Sequence, residues 1–115
     1  MITFDFGYYR PASVDEAVNI FQRLKEEKKT PVYYAGGTEL ICQAGADQIA
    51  FDAAVDLKDI PDCNVLRVEN DQLIIGAAVN LSRIVESGLF PLLGEVCRGV
   101  ADHTSRERIT IGGNI

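Results

Sequence analysis

The sequence predicts an α+β fold, in one small domain or two tightly joined lobes, on three observations. A strand, a well-signalled helix and a second strand follow one another before residue 36. Two β-rich runs near the middle are split by a short polar turn, and a helix opened by Pro91 precedes a closing β-branched run, Ile109 to Ile111.

Each element has its own signal. Phe4 to Tyr8 alternates as a short strand. Ser13 then stands as an N-cap, Glu16 three residues on makes a capping box, and Asp15 lies in the first turn, where the helix dipole favours an acid. Val14, Ala17, Val18, Phe21 and Leu24 recur at helical spacing and predict one buried stripe. Pro31 ends that segment, Val32 to Ala35 reads as a strand running into "GGTEL", and Leu40 to Ala44 reads as a short helix closed by Gly45. Ala53 to Leu57 is a further apolar run, followed by the loop "IPDCN". Val65 to Val68 and Leu73 to Ala77 predict a hairpin across the four-residue turn "ENDQ". Asn80 caps a short helix to Val85, and Pro91 opens another whose buried face is predicted as Leu92, Leu93, Val96 and Val100. The polar segment "DHTSRER" separates it from the last strand.

Composition narrows the function. With 47% hydrophobic and 24% charged residues the chain has enough apolar surface to fold rather than stay disordered. A net charge of −6, with no basic run longer than Lys28-Lys29, argues against a phosphate-backbone footprint and so against nucleic acid. The apolar stretches around Leu73 to Leu81 and Leu89 to Leu93 fall short of the ~20 residues of a membrane span. The start lacks the order of a signal peptide, and an odd, widely spaced set of cysteines makes a reducing cytoplasm the expected setting. Cys42, Cys63 and Cys97 are odd in number and widely spaced, which suggests neither a disulfide framework nor a metal site but small buried or half-buried apolar side chains. His103 reads as a lone surface side chain, and Asp47, Asp52, Asp56 and Asp59 as scattered, solvated acids. No catalytic residue and no metal ligand is expected.

One local echo remains. "AGGTEL" and "IGGNI" are both strand-like runs meeting a Gly-Gly pair and then a small polar residue. Such a pair gives the backbone access to positive φ and lets an anion approach the N–H groups with no Cβ in the way. Thr38 and Asn114 add neutral donors, and the helix after Thr38 would aim its positive end at the same place. A pyrophosphate fits that surface, and the two loops could belong to one site. A Gly-Gly pair is equally the residue choice of an ordinary structural turn. Neither loop has the spacing of a Rossmann or Walker motif.

With both loops in view the chain resembles the FAD-binding subunit, or middle domain, of molybdenum hydroxylases such as xanthine dehydrogenase and carbon monoxide dehydrogenase. Ala35-Gly36-Gly37-Thr38-Glu39-Leu40 matches that family's first flavin loop, A-G-G-[TSN]-[EDS]-L, and Thr110-Ile111-Gly112-Gly113-Asn114 matches its second, T-[IV]-G-G-N. Phe6, Tyr8, Pro11, Ser13, Glu16 and Ala17 fit its opening pattern, and Leu73, Ile75, Gly76 and Ala77 its L-x-I-G-A strand. The resemblance covers the whole chain in the family's order.

It implies a PCMH-type FAD-binding domain, with a small βαβ-type first lobe over residues 1–57 and the opening part of a mixed-sheet second lobe over residues 58–115. It implies FAD as cofactor. The backbone of Gly36, Gly37, Gly112 and Gly113, with Thr38, Thr110 and Asn114, would hold the diphosphate, while Tyr34, Ala35, Glu39 and Leu40 complete the first loop and Ile111 the second. It also implies molybdopterin-binding and iron-sulfur partner subunits, from which electrons pass through FAD to an acceptor in an oxidoreductase complex. Tyr8, Tyr9, Tyr33 and Tyr34 could stack on flavin or adenine, though strand tyrosines more often pack half-buried. Arg106 and Arg108 could approach a phosphate, but the resemblance places them before the loop.

Two departures stand out. Relatives usually read R-N-x-G-T where this chain has Arg106-Glu107-Arg108-Ile109-Thr110, which stiffens the approach and adds the charge of Glu107. Family members also continue well beyond the second loop, so this chain alone is expected to be inactive and to bind FAD weakly or not at all. The alternative is a separately folded fragment without flavin that associates with itself or a partner subunit through exposed strand edges. A different flavoprotein of the same broad fold, such as the enolpyruvyl-glucosamine reductase of cell-wall synthesis, shares the glycine logic but not the whole-chain match.

Overall fold

The computed structural model describes residues 1–115 and divides into two compact units, Met1–Pro61 and Asp62–Ile115. The sequence places the boundary after Leu57. Ile60, fully buried and with its N–H on the Leu57 carbonyl, carries the first unit a few residues further.

In the first unit three parallel strands lie in the order β1 (Gly7–Tyr9), β3 (Ala53–Asp56), β2 (Pro31–Tyr34). The central strand, Ala-Ala-Val-Asp, is buried along its whole length, as a parallel strand covered on both faces must be. Helix α1 (Val14–Glu26) connects β1 to β2, and α2 (Thr38–Gly45) connects β2 to β3. The α1 start follows the capping-box logic: the Ser13 hydroxyl accepts from the Glu16 N–H, and the Glu16 carboxylate accepts from the Ala12 N–H. Of its predicted stripe, Ala17 and Leu24 are buried and Phe21 stacks on Tyr33 at 4.3 Å, whereas Val14 and Val18 remain largely exposed. Ala44, Phe51 and Ala54 form the centre of a core cluster, ringed by Ile2, Phe4, Val32, Tyr34, Leu40 and Ile49.

The first strand is shorter than expected. Only Gly7–Tyr9 pairs with Ala53–Val55; the alternating Phe4 and Phe6 instead bring their rings edge-on to Phe51, at 5.1 and 4.9 Å. That alternation marked an aromatic cluster rather than a ladder.

In the second unit a 3₁₀ turn leads into the antiparallel hairpin β4 (Leu66–Glu69) and β5 (Gln72–Ile75). Glu69 pairs with Gln72, so the turn is two residues long, not four. Asn70 and Asp71, at φ 50° and 59°, are the pair of left-handed residues that a tight hairpin turn requires. Helices α3 (Leu81–Ser87), α4 (Pro91–Arg98), α5 (His103–Arg106) and α6 (Ile111–Asn114) complete the unit. Asn80 caps α3 through the Arg83 N–H, and Asp102 caps α5 through the Ser105 N–H, so the segment expected to be a polar connection holds a helical turn. Val79, Leu81, Ile84 and Cys97 form this unit's core.

Two expectations fail here. Of the face expected on α4, Leu93 and Val100, just past the helix end, do pack against the core, but Leu92 and Val96 are 67% and 61% exposed and Gly94 and Cys97 are buried instead: the helix is rotated so that its small residues meet α3. The closing strand reduces to a single bridge between Asn80 and Thr110, flanked by bonds from Leu81 N–H to Ile109 and from Ile111 N–H to Val79; from Ile111 the chain turns helical. Cys42 is exposed, Cys63 half-buried and Cys97 buried, so the first departs from the expected burial.

Gly76 shows how tightly the hairpin's exit is packed. A Cβ there would lie 2.3 Å from the Cys63 carbonyl carbon and oxygen, backbone atoms that cannot swing away. Gly76→Ala should therefore destabilise the second unit by about 1–3 kcal/mol, measured by denaturant unfolding, while Gly88→Ala, whose Cβ would meet nothing, should cost less despite its left-handed φ of 62°.

Candidate functional site

The first glycine pair lies where β2 hands over to α2, at the carboxyl end of the parallel strands, the end at which open α/β sheets bind ligands. Gly37 is the N-cap of α2, in the left-handed region at φ 72°, and caps with no side chain. The first main-chain helical bond comes from Ile41 N–H to the Gly37 carbonyl, so the amides of Thr38, Glu39 and Leu40 have no acceptor within the helix. Glycine is strongly favoured at position 37: a Cβ would fall 2.3 Å from Cε2 of Tyr34 and 2.7 Å from its hydroxyl, so the ring would have to shift. The Glu39 carboxylate accepts from the Gln43 side chain at 3.3 Å, one turn along the helix. Leu40 packs into the core below, and Ala35, Gly36 and Thr38 are half-buried.

The second pair is built differently. Thr110 is buried and caps α6, its hydroxyl accepting from the Gly113 N–H at 3.2 Å. The Gly112 N–H donates to Ala77 at 3.0 Å and the Asn114 N–H to the Thr110 carbonyl at 3.0 Å. The main-chain donors from Ile111 to Asn114 are thus all engaged within the unit. A Cβ on Gly112 would lie 2.8 Å from the Ala77 carbonyl oxygen, so close backbone packing already demands glycine there. Ile109, where the family resemblance leads one to expect glycine, packs against the core, and Glu107 lies 3.7 Å from His103. Arg106 does not reach toward an anion; its guanidinium donates to the carbonyls of Arg98, Val100 and Ala101 at 3.1 Å, closing the end of α4.

The sequence reading missed Asp56. Taken as a solvated acid, it has no exposed surface at all. Its carboxylate accepts from the Tyr8 hydroxyl and from the Lys58 N–H at 2.9 Å, and pairs with the Lys58 ammonium at 3.2 Å. The other three acids also have partners: Asp47 accepts from Thr3, Asp52 from the Thr30 N–H, and Asp59 pairs with Arg10. The available signal was position: Asp56 continues a fully buried central strand, and β1 brings Tyr8 to the same face. Lys58 then reaches back so that its ammonium lies 4.3 Å from the centre of the Tyr34 ring. Together Tyr8, Tyr34 and Lys58, with Ile2, Phe6, Leu40, Ile41, Phe51 and Ala54, line a cavity of about 280 Å³.

Whether this chain suits a flavin diphosphate can be tested on its first loop. A side-chain-free, left-handed cap with three unspent amides behind it is a surface that can accept a phosphate oxygen, and the glycine lets the Tyr34 ring pack directly beneath it. No three His, Cys, Asp or Glu side chains gather in a group that could hold a metal ion. No helix is long and apolar enough to cross a membrane.

Comparison with known proteins gives the class of this α+β domain. Residues 4–115 match the family described as the FAD binding domain in molybdopterin dehydrogenase, and the chain belongs to that family, whose cofactor is FAD. It is 32% identical over 114 residues to the caffeine dehydrogenase subunit beta of Pseudomonas sp. strain CBB1, covering 96% of this chain and 38% of that one. It is 32% identical over 119 residues to the carbon monoxide dehydrogenase medium chain of Hydrogenophaga pseudoflava, covering 100% of this chain and 40% of the relative. Among solved structures, carbon monoxide dehydrogenase from the same organism superposes with a TM-score of 0.91 at 30% identity, over 99% of this chain and 40% of that one. The chain therefore spans about 40% of the length of these relatives.

The Asp56 network carries its own pH signature. Burial pushes the carboxyl up, but the Tyr8 hydroxyl and the backbone and ammonium of Lys58 outweigh it, so its pKa lies below the ordinary carboxylate value. The hydrogen bond to Asp56 raises the Tyr8 phenol. A lowered acid contributes stability that is complete above its unfolded pKa and is lost as pH falls through the folded one. A raised phenol contributes stability that is complete below its unfolded pKa and is lost as pH climbs through the folded one. Unfolding of the first unit should therefore be flat in this contribution between about pH 4 and 10, weakening outside it. Asp56→Asn should cost about 1–3 kcal/mol at neutral pH and remove the acid limb, as followed by denaturant titration at several pH values.

Proposed function

We propose that this chain holds FAD by its diphosphate and works as part of the flavin subunit of a molybdenum-containing oxidoreductase. The observation that carries the reading is Gly37, a left-handed cap with no side chain at the head of α2, with the amides of Thr38, Glu39 and Leu40 behind it. In this reading Gly36, Gly37 and Thr38 give the phosphate its donors, while Tyr34, Ala35, Glu39 and Leu40 fix the turn. In the second unit Gly112 and Gly113 offer a backbone surface without side chains. The Asn114 carboxamide supplies the donor there, and Thr110 and Ile111 shape the turn, since their neighbours' amides are already spent.

Bound FAD would supply the redox chemistry, exchanging electrons with the iron-sulfur clusters of a partner subunit and with a final acceptor. The chain's own task is to bind and orient it: the helix amides neutralise phosphate charge without a counter-cation, and Leu40, in the core, keeps the loop from moving as the ligand enters. Iron-sulfur and molybdopterin-binding subunits are the proposed partners. A xanthine dehydrogenase-like complex in the cytoplasm is the proposed setting, and the name of the relative, a medium chain, supports an assembly of several subunits.

Titrating FAD into the purified chain and following flavin fluorescence tests this. The expected result is a colourless preparation that binds added FAD saturably but weakly, with ADP competing, and at least tenfold weaker binding by Gly37→Ala. That variant meets both the Tyr34 ring and an unfavourable φ. No saturable binding would overturn the diphosphate reading; a yellow preparation with stoichiometric flavin would overturn the expectation of weak affinity.

A second reading, self-association, is favoured by the β4–β5 hairpin, which stands as a two-stranded sheet with Val68 exposed. It predicts a concentration-dependent mass by light scattering. A constant monomer mass removes it.

A further inference from the structure

We infer that Lys58 is a positioning residue for the Gly36-Gly37 turn: tied to the buried Asp56, it clamps the Tyr34 ring beneath Gly37 and so aims the first amides of α2. This rests on reading that turn as the diphosphate site.

Four contacts make the chain of action. Lys58 is held at both ends by one carboxylate, its N–H on Asp56 Oδ1 at 2.9 Å and its ammonium 3.2 Å from Oδ2. Asp56 in turn cannot swing, being fully buried at the end of the central strand with the Tyr8 hydroxyl on the same carboxylate. The ammonium so fixed sits 4.3 Å from the centroid of Tyr34, within the range where a ring face attracts a cation. Tyr34 then occupies the space a Cβ of Gly37 would need, with Cε2 only 2.3 Å from that position. The ring and the left-handed glycine are therefore one packed surface, and a tilt of the ring releases the turn. Gly37 has no side chain to cap the helix, so no capping bond adds to that support. The lysine ammonium stays partly exposed, with 44% of its side-chain surface open, so its removal leaves no buried hole.

Amide NMR of this chain tests the inference in two stages. Without ligand, Lys58→Met should shift the Gly37, Thr38 and Glu39 amides and the Tyr34 ring signals while leaving the α1 amides in place. Lys58→Arg, which keeps a cation over the ring, should restore them. With FAD as the probe, Lys58→Met should bind about five- to tenfold more weakly than the unaltered chain, and Lys58→Arg within about twofold of it. Loop signals unmoved by Lys58→Met would overturn the inference. So would α1 amides that move as much as the loop, since that marks a general loss of stability. If the unaltered chain shows no shifts with FAD, the diphosphate reading falls, and the ligand-free comparison still decides the role of Lys58.

Discussion

A carboxylate sealed from water must be answered on every side, and the first unit is arranged around meeting that demand at Asp56. The residue sits at the end of the one strand covered on both faces, where an unpaired charge would cost several kcal/mol. Tyr8 answers from β1, and Lys58 answers twice from the segment after β3. Each answer ties down an element: β1 is held to the central strand by a side chain as well as by its ladder, and the chain leaving β3 is turned back over Tyr34. The glycine turn above that ring inherits its position from the same carboxylate.

The two Gly-Gly pairs look alike as sequence and differ as physics. At Gly36-Gly37 the backbone enters the left-handed region and leaves helix amides open to water or a ligand. At Gly112-Gly113 the amides are spent on Ala77 and Thr110, and glycine is needed because the backbone of Ala77 is too close for a Cβ. The first loop keeps donors that it does not satisfy internally; the second is a packed turn whose donors are spent. Ile109, just before that turn, packs against the Val79, Leu81 and Ile84 core.

Local signals were the most legible. The Ser13 cap, the Asn80 cap, the Pro91 helix start and the hairpin were readable because each depends on residues within a few positions. Elements set by distant packing were not. Phe4 and Phe6 alternate as a strand would, yet Phe51 draws their rings into a cluster. Leu92 and Val96 have helical spacing, yet close approach of α4 to α3 favours Gly94 and Cys97 at the contact.

Residue order alone specified the α+β class, the alternation of elements and the two motifs that carry the family resemblance, because turn chemistry, capping and glycine freedom act over short stretches of chain. Only the tertiary structure decided which donors remain open and which acids are buried. A hydrogen bond from Gly112 to Ala77, or from Tyr8 to Asp56, joins residues far apart in sequence, and desolvation has no local signature.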